Sequence, residues 1–171
     1  MKLVVKFGGT SLATVKDIKN VVKTIDKIAK KNKTVVVCSA VDDITDQLIK
    51  ISSLIERGKK KEAKIILAKI SQKHKQFAQH LIKNSKILKA LSNKLNSDLS
   101  ELEELVHGLI LLGEVTPRSF DYLVSFGERL SIDLVSFSLE ELKNKSIPLS
   151  GKEAGMKVKI NMVALKGIND N

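Results

Sequence analysis

The first eleven residues constrain this chain most. Leu3-Val4-Val5 is a short apolar, β-branched run that reads as a buried strand. It runs directly into Lys6-Phe7-Gly8-Gly9-Thr10-Ser11, and a helical pattern follows. A strand that empties through a double glycine into a helix start suits an anion. Glycines let a phosphate approach the backbone, and N–H groups at a helix N-terminus point at it. Lys6 adds a mobile positive charge at the strand end, so the opening segment predicts a phosphate site.

Val15, Ile18, Val21, Val22, Ile25 and Ile28 recur at helical spacing with lysines on the other face, which predicts a helix over 14–31. Thr34-Val35-Val36-Val37-Cys38 reads as a second buried strand. Strand, helix and strand with short connections form a βαβ unit whose strands lie parallel in one sheet. The second strand ends at Ser39-Ala40, and Asp42-Asp43-Ile44-Thr45-Asp46 begins another helix. Both strands thus deliver their C-terminal ends into small, polar loops, the edge at which open α/β sheets bind ligands.

From Asp43 to Gly113 the pattern is nearly all helical. Ala63, Ile66, Ile70, Phe77 and Leu81 line one helix; Leu88, Leu91, Leu95, Leu99, Leu102, Val106 and Leu109 line another. The Asn84-Ser85 break predicts an antiparallel hairpin over about 59–113, suited to covering the sheet edge or forming an interface. His74, His80 and His107 lack the spacing of a metal motif and read as surface or packing residues; no metal site is expected. Thr116 is a good N-cap and Pro117 a good first helical residue. The helix they open contains Ser125-Phe126-Gly127-Glu128-Arg129-Leu130-Ser131. Glu128 and Arg129 are adjacent and cannot share one helix face, so one can look into a site while the other ties elements together. Ser146-Ile147-Pro148-Leu149 reads as a third strand, Ser150 to Gly155 as a loop, Lys157 to Ile160 as a final edge strand, and the last ten residues as frayed.

A length of 171 residues suffices for one domain with a hydrophobic core. The net charge of +11 comes mostly from lysines spread over helical faces. Without an Arg-rich block or interleaved aromatics, it argues for a solvated surface rather than a nucleic-acid partner. No apolar stretch is long enough to span a bilayer, and Lys6 interrupts the only early apolar run, so a cytoplasmic protein without membrane partners is expected. The single cysteine, Cys38, precludes an internal disulfide and reads as a buried small hydrophobe.

Taken in order, these segments resemble the aspartate kinases of the wider amino acid kinase family. Lys6-Phe7-Gly8-Gly9-Thr10-Ser11 is similar to their opening signature, and Val37-Cys38-Ser39-Ala40 to their second strand and Ser-Ala turn. Thr45, Gly113-Glu114-Val115-Thr116-Pro117-Arg118, Ser125 to Ser131, and Glu153-Ala154-Gly155 extend the resemblance over residues 2 to 155. It implies a three-layer αβα fold, with a parallel-rich sheet flanked by helices and a long helical hairpin inserted. It also implies a reaction: transfer of the γ-phosphoryl group of ATP, with Mg2+, to the side-chain carboxylate of L-aspartate, the first step toward lysine, threonine and methionine. A carboxylate needs no general base; the difficulty is an anion attacking a polyanion, so catalysis is positioning plus cationic and amide stabilisation.

By this resemblance Lys6 would neutralise the transferring phosphoryl group, and Gly8 and Gly9 would cradle it with Ser11 close by. Ser39 and Thr45 would donate hydrogen bonds near the substrate, and Glu128 would bind its α-ammonium. Arg129 would either touch substrate or hold the site together. The family pattern continues with an arginine-glycine-glycine-serine-aspartate segment and a nucleotide-binding half, which Met156 to Asn171 does not resemble. The expected organisation is therefore truncated: the N-terminal part of a kinase domain over 1–155, then a divergent tail over 156–171. A homo-oligomer or a complementary C-terminal half is the expected partner. The alternatives are a non-catalytic or split-enzyme subunit, or a family member acting on another carboxylate.

Overall fold

The computed structural model describes residues 2–143, 146–149 and 162–165. The elements are β1 (Lys2–Phe7), a short 3-10 turn (Gly9–Leu12), α1 (Val15–Ala29), β2 (Lys33–Cys38), α2 (Ile44–Glu56), α3 (Lys60–Leu81), α4 (Ser85–Leu112), α5 (Pro117–Glu141), β3 (Ser146–Leu149) and β4 (Met162–Leu165). The expected edge strand over 157–160 and the Glu153-Ala154-Gly155 segment lie outside the described residues.

The βαβ unit forms as its sequence dictates. β1 and β2 pair in parallel, with Val5 opposite Val36 and Phe7 opposite Cys38. Between them, α1 opens with a capping box. The Asp17 amide donates to Thr14 Oγ1 at 3.2 Å, and the Thr14 amide donates back to Asp17 Oδ2 at 3.1 Å. This satisfies donors that every helix start leaves unpaired. β4 then pairs antiparallel with β2, and β3 antiparallel with β4, giving the order β1-β2-β4-β3. The residues expected to fray therefore include a strand, β4, because Met162-Val163-Ala164-Leu165 is itself an apolar run that fills the second edge of β2.

Among the described residues one face of the β1–β2 pair is packed and the other carries no helix. Thr34, Val36 and Cys38 are buried and stand opposite Leu3, Val5 and Phe7, with α1 and α5 packed on β2. Lys2, Val4 and Lys6 alternate onto the opposite face, where Val4 is 68% exposed. The reading of Leu3-Val4-Val5 as a buried strand is corrected here: among the described residues only one face of β1 has a helix to pack against.

α3 and α4 are joined by a short turn and pack on each other, as a helical hairpin should. Their other main partners are helices rather than the sheet. α2 packs on α3, α4 on α5, and α5 returns to α2, closing a ring of four helices. The core of this ring includes Leu48 and Ile51 of α2, Ile70 of α3, Leu95 and Leu102 of α4, and Phe126 and Leu130 of α5. Glu141 near the end of α5 accepts hydrogen bonds from the Lys83 and Asn84 amides, which locks the α3–α4 turn to the bundle. Lys59, Lys60 and Lys61 are exposed at the start of α3.

Candidate functional site

The C-terminal ends of β1 and β2 meet α2 and α5 around Ala40. The β1–β2 ladder runs one step beyond the strands: the Ser39 amide donates to the Phe7 carbonyl at 3.0 Å. After Phe7 the chain turns sharply, with the Ser11 amide donating to the Gly8 carbonyl at 3.0 Å and Leu12 fully buried as the anchor of the turn. A Cβ at Gly8 would meet nothing within 4 Å, while one at Gly9 would lie 3.5 Å from the Ala40 carbonyl. The double glycine is thus open at Gly8 and seated against the Ala40 carbonyl at Gly9, and glycines of this kind let an anion approach the backbone. Lys6 is exposed on the face of β1 that carries no helix among the described residues, two residues before this turn.

Beyond Ala40, Asp43 takes the left-handed conformation at the N-cap of α2 (φ 68°) and accepts a hydrogen bond from Gln47 Nε2 at 2.6 Å. Thr45 is half-buried in the first turn of α2. From the other side α5 approaches very closely: a Cβ on Gly127 would stand 2.8 Å from Ala40 Cβ. The Ser131 hydroxyl donates to the Ser39 carbonyl at 2.7 Å. Glu128 is half-buried between these two contacts. Burial pushes its carboxyl above the ordinary value, and the backbone amides of Glu128 itself and of Ala40 work against that rise. A cation arriving there would restore the charge that burial disfavours. The structure therefore gathers Gly8, Gly9, Ser11, Ser39 and Glu128 about one turn, with Lys6 and Thr45 on the elements entering it.

Arg129 does not join them. Its guanidinium points to α4, 2.6 Å from Glu101 Oε2 and 3.1 Å from Asp98 Oδ1, and lies 4.3 Å over the Phe126 ring. Lys94 reaches both oxygens of Asp98 at 2.7 Å and stands 3.8 Å from Asp133 Oδ2. Tyr122 adds a hydroxyl to Glu101. Of the two roles left open for Arg129, this geometry displays the tie between elements.

Asp98 and Asp133 are both buried in this α4–α5 seam. Burial, and then the neighbouring Asp98 carboxyl, raise Asp133 far above the usual range. Burial also acts against ionised Asp98, but hydrogen bonds from Asp133 and Lys94 and the charges of Lys94 and Arg129 hold it below its ordinary value. Burial and the mutual charge of the two carboxyls thus favour a proton on Asp133, whose Oδ2 has no hydrogen-bond partner among the described residues. The sequence reading missed this network; the only local signal was the i, i+4 pair Lys94–Asp98. It also passed over Gly127 and Ser131 as contact residues, since their partner at residues 39–40 is remote in the chain.

The remaining titratable candidates are Cys38 and the three histidines. Cys38 is buried, and burial pushes its thiol up to about 12. His74 is fully buried, with Nδ1 2.8 Å from the Ile70 carbonyl, while His80 and His107 are exposed. Among the described residues no group of three His, Cys, Asp or Glu side chains could hold a metal ion, and no helix is long and apolar enough to cross a membrane.

Parallel strands feeding a glycine turn, with a half-buried carboxyl brought to the same turn by α5, place polar groups at the edge where α/β sheets bind ligands. Residues 1–168 match the model of the Amino acid kinase family, and the chain belongs to that family. Aspartokinase of Candida albicans (strain SC5314 / ATCC MYA-2876) is 32% identical over 136 residues, which cover 75% of this chain and 24% of that protein. Aspartokinase of Chlamydia pneumoniae is 35% identical over 136 residues, 78% of this chain and 26% of its own length. The crystal structure of E. coli aspartokinase III in complex with aspartate and ADP (R-state) superimposes with a TM-score of 0.67 at 25% identity, covering 84% of this chain and 30% of that one. The chain thus spans about a quarter of the length of these relatives.

Proposed function

We propose that this chain carries the amino-acid and phosphoryl side of an aspartate kinase site. The observation that carries this reading is the convergence on Ala40: a glycine turn open to an anion on one side and the Glu128 carboxyl, facing the Ala40 amide, on the other. The similarity to aspartokinases, one of them solved with aspartate and ADP, supports the choice of substrate.

In this reading an oxygen of the aspartate side-chain carboxylate attacks the γ-phosphorus of ATP. The bond from that phosphorus to the β,γ-bridging oxygen breaks, and 4-aspartyl phosphate and ADP result. No proton needs to be removed from the nucleophile, so the residues act by placement and charge. Glu128 takes the α-ammonium, and Ser39 and Thr45 orient the substrate. Lys6 and the turn at Gly8, Gly9 and Ser11 offset the charge that accumulates on the transferring group. Among the described residues no group of three His, Cys, Asp or Glu side chains gathers to hold a metal ion, so Mg2+ would be held chiefly by the ATP phosphates. A homo-oligomer or a complementary C-terminal half as partner, and a cytoplasmic site of action, belong to the same proposal.

The test is ligand titration followed by NMR of the 15N-labelled chain. Aspartate should shift the amides at 39–41 saturably, and succinate, which lacks the ammonium, should bind about tenfold or more weakly. Glu128→Gln should abolish that preference. Equal binding of aspartate and succinate would sink the reading; a response to glutamate or acetylglutamate in place of aspartate would move the chain to another substrate of the family.

A further inference from the structure

Glu128 is carried to the end of β2 by its neighbours on α5. Gly127 stands where any side chain would collide: a Cβ there would be 2.8 Å from Ala40 Cβ, with Leu48 Cδ1 at 3.5 Å and Ile44 Cγ2 at 3.6 Å. Ala40 Cβ is fixed by the backbone and has no rotamer through which to yield, so a side chain at 127 must drive α5 and the β2–α2 turn apart. Ser131 lies one helical turn further along the same face. Its hydroxyl donates to the Ser39 carbonyl at 2.7 Å and lies 2.9 Å from the Glu128 carbonyl. The Ser39 amide is already engaged with Phe7, so Ser131 supplies its carbonyl with a partner just where the strand ladder ends. Ser131 is itself buried.

We propose that Gly127 and Ser131 are positioning residues: the first lets α5 close on the β2–α2 turn, the second fastens it there, and together they hold Glu128 beside Ala40 at that turn. That this is the place required by the substrate ammonium rests on the function proposed above. The contact is a register device rather than general packing, because the close approach and the hydrogen bond flank the one carboxyl of α5 that faces this turn. Residue 127 must lack a side chain and residue 131 must present a short hydroxyl for Glu128 to stand there.

The amide of residue 40 reports the arrangement directly. In a pH titration of the 15N-labelled chain its shift should follow ionisation of Glu128 and become flat in Glu128→Gln. In Gly127→Ala the amplitude should fall to about half or less, and in Gly127→Ala combined with Ala40→Gly it should return, since the second change removes the atom the first collides with. Ser131→Ala removes only a hydroxyl and should reduce the same amplitude without steric risk, which keeps the question open to answer if Gly127→Ala does not fold. Cooperative urea unfolding identifies the variants that are folded. An unchanged amplitude in folded Ser131→Ala and Gly127→Ala, or a residue-40 amide indifferent to Glu128→Gln, overturns the proposal. If the coupling holds and aspartate leaves this amide unmoved, the positioning stands and the substrate reading alone fails.

Discussion

At the scale of single residues, the adjacent pair Glu128 and Arg129 shows how a helix divides two charges between two tasks. About 100° of helical rotation separates neighbours, so the carboxyl faces the strand ends while the guanidinium faces α4. Arg129 bridges Asp98 and Glu101 and stacks on Phe126, a combination suited to a planar fork and unavailable to an ammonium. Arg129→Met should lower the unfolding free energy by about 2–3 kcal/mol, because buried Asp98 keeps only Lys94 as a cationic partner. Arg129→Lys should recover less than half of that loss. Urea unfolding measures both. Aspartate affinity of the folded Arg129→Met protein should change by less than about threefold; a larger loss would assign the guanidinium to the substrate.

The α4–α5 seam makes a prediction that belongs to elements. Asp133 holds its proton in the folded chain far above the ordinary carboxyl value, through burial and the nearby Asp98 carboxyl. The unfolded chain releases that proton near the usual 3.8, so this group's contribution is complete below that pH and is lost as pH rises. Asp98, held low, works in the opposite direction and loses its contribution as pH falls. Asp133→Asn keeps the shape and a donor toward Asp98 but cannot ionise. Its stability relative to the parent should therefore grow between about pH 5 and pH 9, as read from urea midpoints at the two values. A constant difference would show that Asp133 does not hold its proton over that range.

For the whole molecule, acid sensitivity follows from His74. Burial lowers its pKa from 6.5 to about 4, against the opposing hydrogen bond to the Ile70 carbonyl and with a smaller push from Lys73. Unfolded chains bind the proton first, so stability is full above about pH 6.5 and falls by about 3 kcal/mol toward pH 4. His74→Gln should flatten the stability profile in that window. How much of this was legible beforehand divides along sequence distance. The Thr116-Pro117 helix start rests on adjacent residues and the βαβ unit on two strands joined by one helix, and both form as read; the double glycine opens into a 3-10 turn, with α1 beginning only after Thr14. The exposed face of β1, the place of β4 inside the sheet, and the closing of α3 and α4 onto α2 and α5 depend on what lies across the molecule. No local pattern of Val4, Met162 or Leu95 reports that. Likewise Glu128 was readable as a charge in a motif, whereas its link to Ala40 through Gly127 and Ser131 exists only after the chain has folded.

The position of β4 also sets an order in time. β1 and β2 are separated only by the 3-10 turn and α1 and can pair early, but Val36 meets Val163 across the entire helical section. Closing so long a loop is entropically costly and comes after local contacts have formed. On a ribosome, where residues emerge from the N-terminus onward, β2 must therefore wait with one edge unsatisfied while α2 to α5 assemble beside it. In pulse-labelled refolding, the amides shared by β1 and β2 should gain protection before those shared by β2 and β4.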